Sequence, residues 1–206
     1  FPAGGHAHSG GVEAAVVSGR VTGIDTLGVF LAGRLTTAGR VAAALAAAAC
    51  SGAHDVAALD AEAAARIPSP ALRAASRTQG RQLLRTARAV LRLDAGLPAG
   101  VDELHYPVAM GVVSAATDDV GPIDAARWAA YDAISGPAGA AVRLLGLDPF
   151  AAWGLVAELL PEADEIAAAA AARARRPLAQ LPCCAAPLLD IGAEQHATQE
   201  VRLFAS

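Results

Sequence analysis

The sequence predicts an all-α fold, a single compact multi-helix domain of Ala-rich helices with a short C-terminal tail, and three observations predict it. Hydrophobic residues make up 54% of the chain but aromatics only 4%, so alanine, the strongest helix former, carries the apolar content. Clusters of Val, Ile, Thr, Tyr and Phe that would build strands are almost absent. Apolar residues recur instead at helical spacing, punctuated by Pro and Gly. A chain of 206 residues suits one domain, 1–206, with room for a substantial core.

The elements follow in order. Pro2–Gly11 is a glycine-rich loop in which Ser9 can cap a helix from about Gly10 to Arg20. Leu27, Leu31, Leu35, Ala38, Ala42, Leu45 and Ala49 repeat at helical spacing, which predicts a helix from about Asp25 to Cys50, interrupted in propensity by Gly33 and Gly39. Ser51-Gly52 ends it, and a helix over His54–Arg66 comes next. Ser69-Pro70 reads as a cap followed by proline at the first helical position, opening a helix to about Leu93. After a loop at Asp94–Asp102, helices are predicted at Glu103–Ala116, Pro122–Ser135, Pro137–Leu145, Pro149–Leu160 and Glu162–Arg175, with breaks at Pro137 and Pro161 and with Asp148-Pro149 repeating the cap-then-proline signal. Pro177–Pro187 is irregular, and a last helix at Leu188–Thr198 precedes the tail.

A net charge of −4 and a pI of about 5.7 argue against nucleic acid as a partner. Val41–Cys50 and Ile166–Ala172 are too short to span a bilayer and lack signal-peptide flanks, so no membrane is expected. The chain begins at Phe1 rather than Met, so further residues are expected upstream. Three cysteines without scaffold spacing point to a reducing compartment, the cytoplasm by default.

Candidates for chemistry are few. His6 and His8 could hold a divalent metal, but two ligands make a weak site, and hydrogen bonding to loop backbone is the plainer account. Cys183-Cys184 lacks the Cys-x-x-Cys spacing of redox or zinc sites, and Cys50 closes an apolar run as a core residue. Asp118-Asp119 has no second acidic motif to build a metal-diphosphate site. No phosphate-binding Gly-x-x-x-x-Gly-Lys-Ser/Thr loop, Gly-x-Ser-x-Gly elbow or His-Glu-x-x-His pair occurs. No catalytic residue, metal ligand or cofactor site is assigned.

The helix after Ser69 is more informative. Arg73, Arg77, Arg81, Arg85, Arg88 and Arg92 follow at spacings of four or three. They cover one face about 120° wide along roughly 28 Å of helix. No acidic residue interrupts from Arg66 to Leu93. Leu72, Ser76, Gln79, Leu83, Ala87 and Val90 form the opposing, core-facing side. Two accounts stay open: a face that is solvated or neutralised by Asp60, Glu62 or Asp102, and a face that meets an acidic protein partner.

Five blocks in order resemble the UreF family of urease accessory proteins. They are Pro2-Ala3-Gly4-Gly5 with His8-Ser9-Gly10-Gly11-Val12-Glu13; Ala75-Ser76-Arg77 with Gln79-Gly80-Arg81; His105-Tyr106-Pro107-Val108 with Gly111; Ala140–Leu144; and Asp190, His196 and Arg202-Leu203-Phe204. Together they cover essentially the whole chain. The chain departs from the family pattern at His6, at Ala197, and after Arg143, where Leu-Leu-Gly-Leu-Asp-Pro replaces the usual turn. The resemblance implies a non-enzymatic helical homodimer that binds UreD (also called UreH), recruits the GTPase UreG and docks on apo-urease for nickel insertion. Nickel and GTP belong to the partners, so no cofactor is implied for this chain. It also implies partner-binding roles for His8, Ser9, Glu13, Arg77, Arg81, Arg85, His105, Tyr106, His196, Arg202, Leu203 and Phe204. The tail is expected to be ordered by a partner rather than folded back on its own core. Competing readings are a helical ligand-binding regulatory domain, which needs an apolar pocket, and a helical diphosphate enzyme resting on Asp118-Asp119.

Overall fold

A helix that is apolar on all sides is stable only where neighbours cover all of it. The alanine-rich segment α3 (Arg40–Cys50) meets that condition: Val41 and every residue from Ala43 to Cys50 are buried. Around it, in a computed structural model that describes residues 8–92, 102–199 and 203–204, stand α1 (Val12–Val17), α2 (Ile24–Arg34), α4 (Val56–Ala65), α5 (Pro70–Leu91), α6 (Tyr106–Ala115), α7 (Pro122–Leu145), α8 (Pro149–Arg173) and α9 (Pro187–Ala197). Among the described residues there is no β-strand. The small side chains of α3 let its neighbours approach closely. A Cβ on Gly111 of α6 would lie 2.3 Å from the carbonyl oxygen of Ala46, so only glycine fits that crossing.

α2 and α3 form one continuous helix, joined by a π-helical turn at Leu35–Gly39. The helix therefore runs over Ile24–Cys50, well beyond Val41–Cys50, and its length and composition alone would let it cross a membrane. In this fold it is a core element, with Leu27, Leu31, Leu35 and Leu45 fully buried. α1 is shorter than predicted, bounded by the left-handed glycines Gly11 and Gly19.

Two predicted breaks are absent. α7 runs straight through Pro137 and α8 through Pro161. Proline at 137 leaves the carbonyl of Ala133 without its helical donor. Arg34 replaces that donor, its Nε lying 3.0 Å from the Ala133 oxygen. Pro161 lies on an exposed face, where water can serve the carbonyl of Ala157.

α5 begins as predicted, with the Ser69 hydroxyl accepting from the amide of Leu72. Its buried face is Ser76, Gly80, Leu83, Leu84 and Ala87, whereas Val90, expected in the core, is 58% exposed. α6 starts at Tyr106 rather than Glu103 because the preceding backbone is held by other elements. Leu104 packs so close that a Cβ on Gly80 would lie 2.0 Å from its carbonyl oxygen. The amide of His105 donates to Asp60 at 2.7 Å, and that of Tyr106 to the Ser76 hydroxyl at 3.0 Å. The irregular stretch before α9 contains one short 3₁₀ turn, Leu178–Gln180, fastened to α4 by Arg66, whose guanidinium donates to the carbonyls of Leu178 and Pro182.

Candidate partner-binding surface

Three segments remote in sequence meet at one carboxylate. Glu13, on the first turn of α1, is 5% exposed. Its Oε2 lies 2.7 Å from Nε2 of the fully buried His196 on α9, 183 residues away. Its Oε1 accepts from the amide of Leu203 at 2.8 Å, and Oε2 accepts from the amide of Phe204 at 3.1 Å. A buried carboxylate is costly unless its oxygens are hydrogen-bonded, and these three donors satisfy both of them. Local sequence supplies the frame. Ser9 is fully buried, its hydroxyl 3.4 Å from the amide of Glu13, and Gly10 and Gly11 take positive φ to turn the chain into α1. Gly10 must be small, since a Cβ there would meet Pro137 at 2.8 Å.

The tail departs from expectation. Phe204 is buried against its own chain, with the Arg143 guanidinium 4.5 Å from its ring centroid. The idea that a partner orders it is therefore corrected for this residue, whose amide and ring are both satisfied internally. Leu203, its neighbour, is 74% exposed. Leu188 and Ile191 on α9 and Val17 on α1 are exposed as well. Arg202, His6 and the Pro2-Ala3-Gly4-Gly5 block lie outside the described residues, as does most of the predicted loop at Asp94–Asp102.

Arg77, His105 and Tyr106 belong to a second, inner cluster. Asp60 of α4 receives both Arg77 Nη2, at 2.8 Å, and the amide of His105. His105 is fully buried and neither ring nitrogen has a partner among the described residues. Burial and the nearby Arg77 guanidinium hold its proton affinity below the usual imidazole range. Tyr106 donates to Asp132 over 3.4 Å, and burial pushes the phenol upward. Of the twelve residues singled out from the sequence, His8, Ser9, Glu13, His105, His196 and Phe204 are thus internal. Arg81, Arg85 and Leu203 are exposed.

The arginine stripe divides in the same way. Arg73 donates to the carbonyls of Ile67 and Pro68, Arg77 pairs with Asp60, and Arg88 pairs with Asp102 at 2.9 Å. Glu62 pairs with Arg66 instead. Arg81 and Arg85 make no ion pair among the described residues.

Two groups have a role that the sequence did not announce, although Asp190 stands in a motif block. Asp190 and Glu194 of α9 cap the start of α5: Asp190 accepts from the amide of Ser69, and Glu194 accepts from the Ser69 hydroxyl and the amide of Ala71. Those contacts hold the Glu194 carboxyl below the usual range. Arg34 and Asp132, the second group, face each other, and burial pushes the Asp132 carboxyl upward against the pull of Arg34. The unmatched proline at 137 was the signal for Arg34.

Among the described residues neither competing reading finds support. A cleft between α7 and α8, lined by Arg127, Tyr131, Leu160, Ala163 and Asp164, holds about 150 Å³ and falls short of the roughly 300–1,000 Å³ typical of small-molecule sites. Among the described residues no group of three or more His, Cys, Asp or Glu could hold a metal ion, and Asp118-Asp119 forms a turn with Asp119 at φ 60°.

The UreF family model matches residues 21–160. The chain is also similar to proteins named urease accessory protein UreF. One from Mycobacterium sp. (strain JLS) is 46% identical over 206 residues, covering all of this chain and 93% of that protein. One from Mycolicibacterium vanbaalenii is 44% identical over 209 residues, with 100% and 94% covered. One from Mycobacterium tuberculosis (strain H37Rv) is 40% identical over 206 residues, with 100% and 93% covered.

Proposed function

The chain belongs to the UreF family of urease accessory proteins, and from that premise we propose that it is the helical scaffold subunit of a urease-maturation assembly in the cytoplasm. The family is one of accessory proteins, not catalysts. The work of this chain is binding. It pairs with a second copy, holds a UreD/UreH-type protein, recruits a UreG-type GTPase and brings both to apo-urease. Nickel and GTP are handled by those partners, and this chain holds no cofactor.

One observation carries this reading: motif residues from both chain ends converge on Glu13. That junction spends its polar groups on fixing a tail rather than on meeting a substrate. With Phe204 as the internal anchor, Leu203 is presented outward with Leu188 and Ile191 also exposed, an apolar set suited to a protein partner. A second exposed apolar set lies on α7 and α8, where Tyr131, Phe150, Trp153 and Leu160 accompany the Arg127–Asp164 pair. Carrying both signs of charge makes that face self-complementary, as a two-fold homodimer requires.

The test is co-expression with a UreD homologue. Wild type is expected to co-purify with it, and Leu203→Asp is expected to keep its fold and lose most of that binding. Wild type that binds neither a UreD nor a UreG homologue overturns the reading.

A further inference from the structure

We propose that the outer half of α5 and the residue that caps its end, carrying Arg81, Arg85 and Arg92, form a docking face for an acidic segment of a protein partner. The proposal rests on the reading above, that this chain works by assembling with other proteins. The contrast within one helix motivates it. Among the described residues, carboxylates pair with two arginines of α5, Asp60 with Arg77 and Asp102 with Arg88, and backbone carbonyls take Arg73. Between and beyond these pairs, Arg81, Arg85 and Arg92 are exposed and have no ion pair among the described residues. The chain as a whole is acidic, at −4, so a face with this excess of arginine is a local departure from the general surface.

The spacing states what would fit. Arg81 and Arg85 are about 6 Å apart along the axis, and Arg92 lies roughly 10 Å further. Carboxylates one helical turn apart on a partner segment match the first two, and guanidinium forks donate to carboxylates bidentately. Ala89, exposed between Arg85 and Arg92, adds no bulk to hold the partner backbone away. Three cations on a net-negative protein make a poor nucleic-acid surface, which relies on neutralising many phosphates. The same three suit a short acidic stretch of protein.

The experiment uses the full chain with UreD and UreG homologues from one source, and measures dissociation constants at 50 and 300 mM salt. Arg81→Glu/Arg85→Glu is expected to melt like wild type yet to weaken binding of one partner about tenfold at low salt, with the loss shrinking at high salt. Arg81→Lys/Arg85→Lys, which keeps the charge, is expected to recover most of the affinity. Wild-type binding to both partners by the reversed variant overturns the docking face and leaves the scaffold reading intact. Absence of wild-type binding to either partner overturns both. Loss of fold in the reversed and the lysine variants alike makes the arginines internal supports and overturns the proposal. So does tight binding of a 20-nucleotide RNA at 150 mM salt that the reversal abolishes.

Discussion

The Glu13 junction and the outer half of α5 both carry motif residues of one family, yet they spend their charge in opposite ways. At the junction one carboxylate is buried and fully used, joining α1, α9 and the tail. Along α5 the guanidiniums of Arg81 and Arg85 are exposed, and no carboxylate among the described residues pairs with them. A motif residue therefore serves a partner in two ways, by shaping a surface from within or by meeting the partner itself. Burial separates the two roles, and each predicts a different response to mutation.

The largest effect is expected at Glu13. Glu13→Ala leaves two backbone amides and the His196 ring without acceptors, and breaking a buried charged network costs about 3–5 kcal/mol. Denaturant melts should show that loss, and a variant within 1 kcal/mol of wild type breaks the comparison at its buried end. Next, the neighbouring tail residues sharpen it: Phe204→Ala should cost about 2–4 kcal/mol, discounted from a full core site for its terminal position, while Leu203→Ala should cost under about 0.5 kcal/mol. Equal costs for the two would contradict the internal anchor.

A smaller effect is expected from pH at the inner end of α5. Folded His105 binds its proton more weakly than the unfolded chain does, for which the usual value is about 6.5. Unfolding therefore takes up a proton as pH falls below about 6.5, and the stability present above that pH declines. His105→Leu should flatten this decline, read from melting temperature against pH, and an unchanged slope would show that the ring charges freely in the fold. Least of all, Arg81→Glu/Arg85→Glu should change stability by no more than about 0.5 kcal/mol while weakening assembly.

The helices themselves were legible because alanine content and apolar spacing act locally. The Ser69 and Asp148 caps behaved as their residue types require. Pro137 and Pro161 were misread as breaks because the rule for proline concerns the helix alone. Arg34, ninety-nine residues away from the carbonyl that it caps, is a tertiary answer that no local pattern announces. Val90 was misplaced for the converse reason: its position on the apolar side is right, but none of the described residues covers the last turn of α5. Asp60 and Asp102 were foreseen as neutralisers of the stripe, and they neutralise Arg77 and Arg88 only. Which motif residues are internal could not be read, because Glu13 and His196 acquire meaning only when the two ends of the chain meet.

Amide hydrogen exchange of the chain alone, and then with a bound UreD homologue, tests the junction most directly. The amides of Leu203 and Phe204 should already be protected in the free chain, and Glu13→Ala should bring them to the rate of an unstructured peptide. If those amides exchange freely in the wild-type chain and gain protection only when the partner is added, the tail is ordered from outside and the internal anchor is wrong.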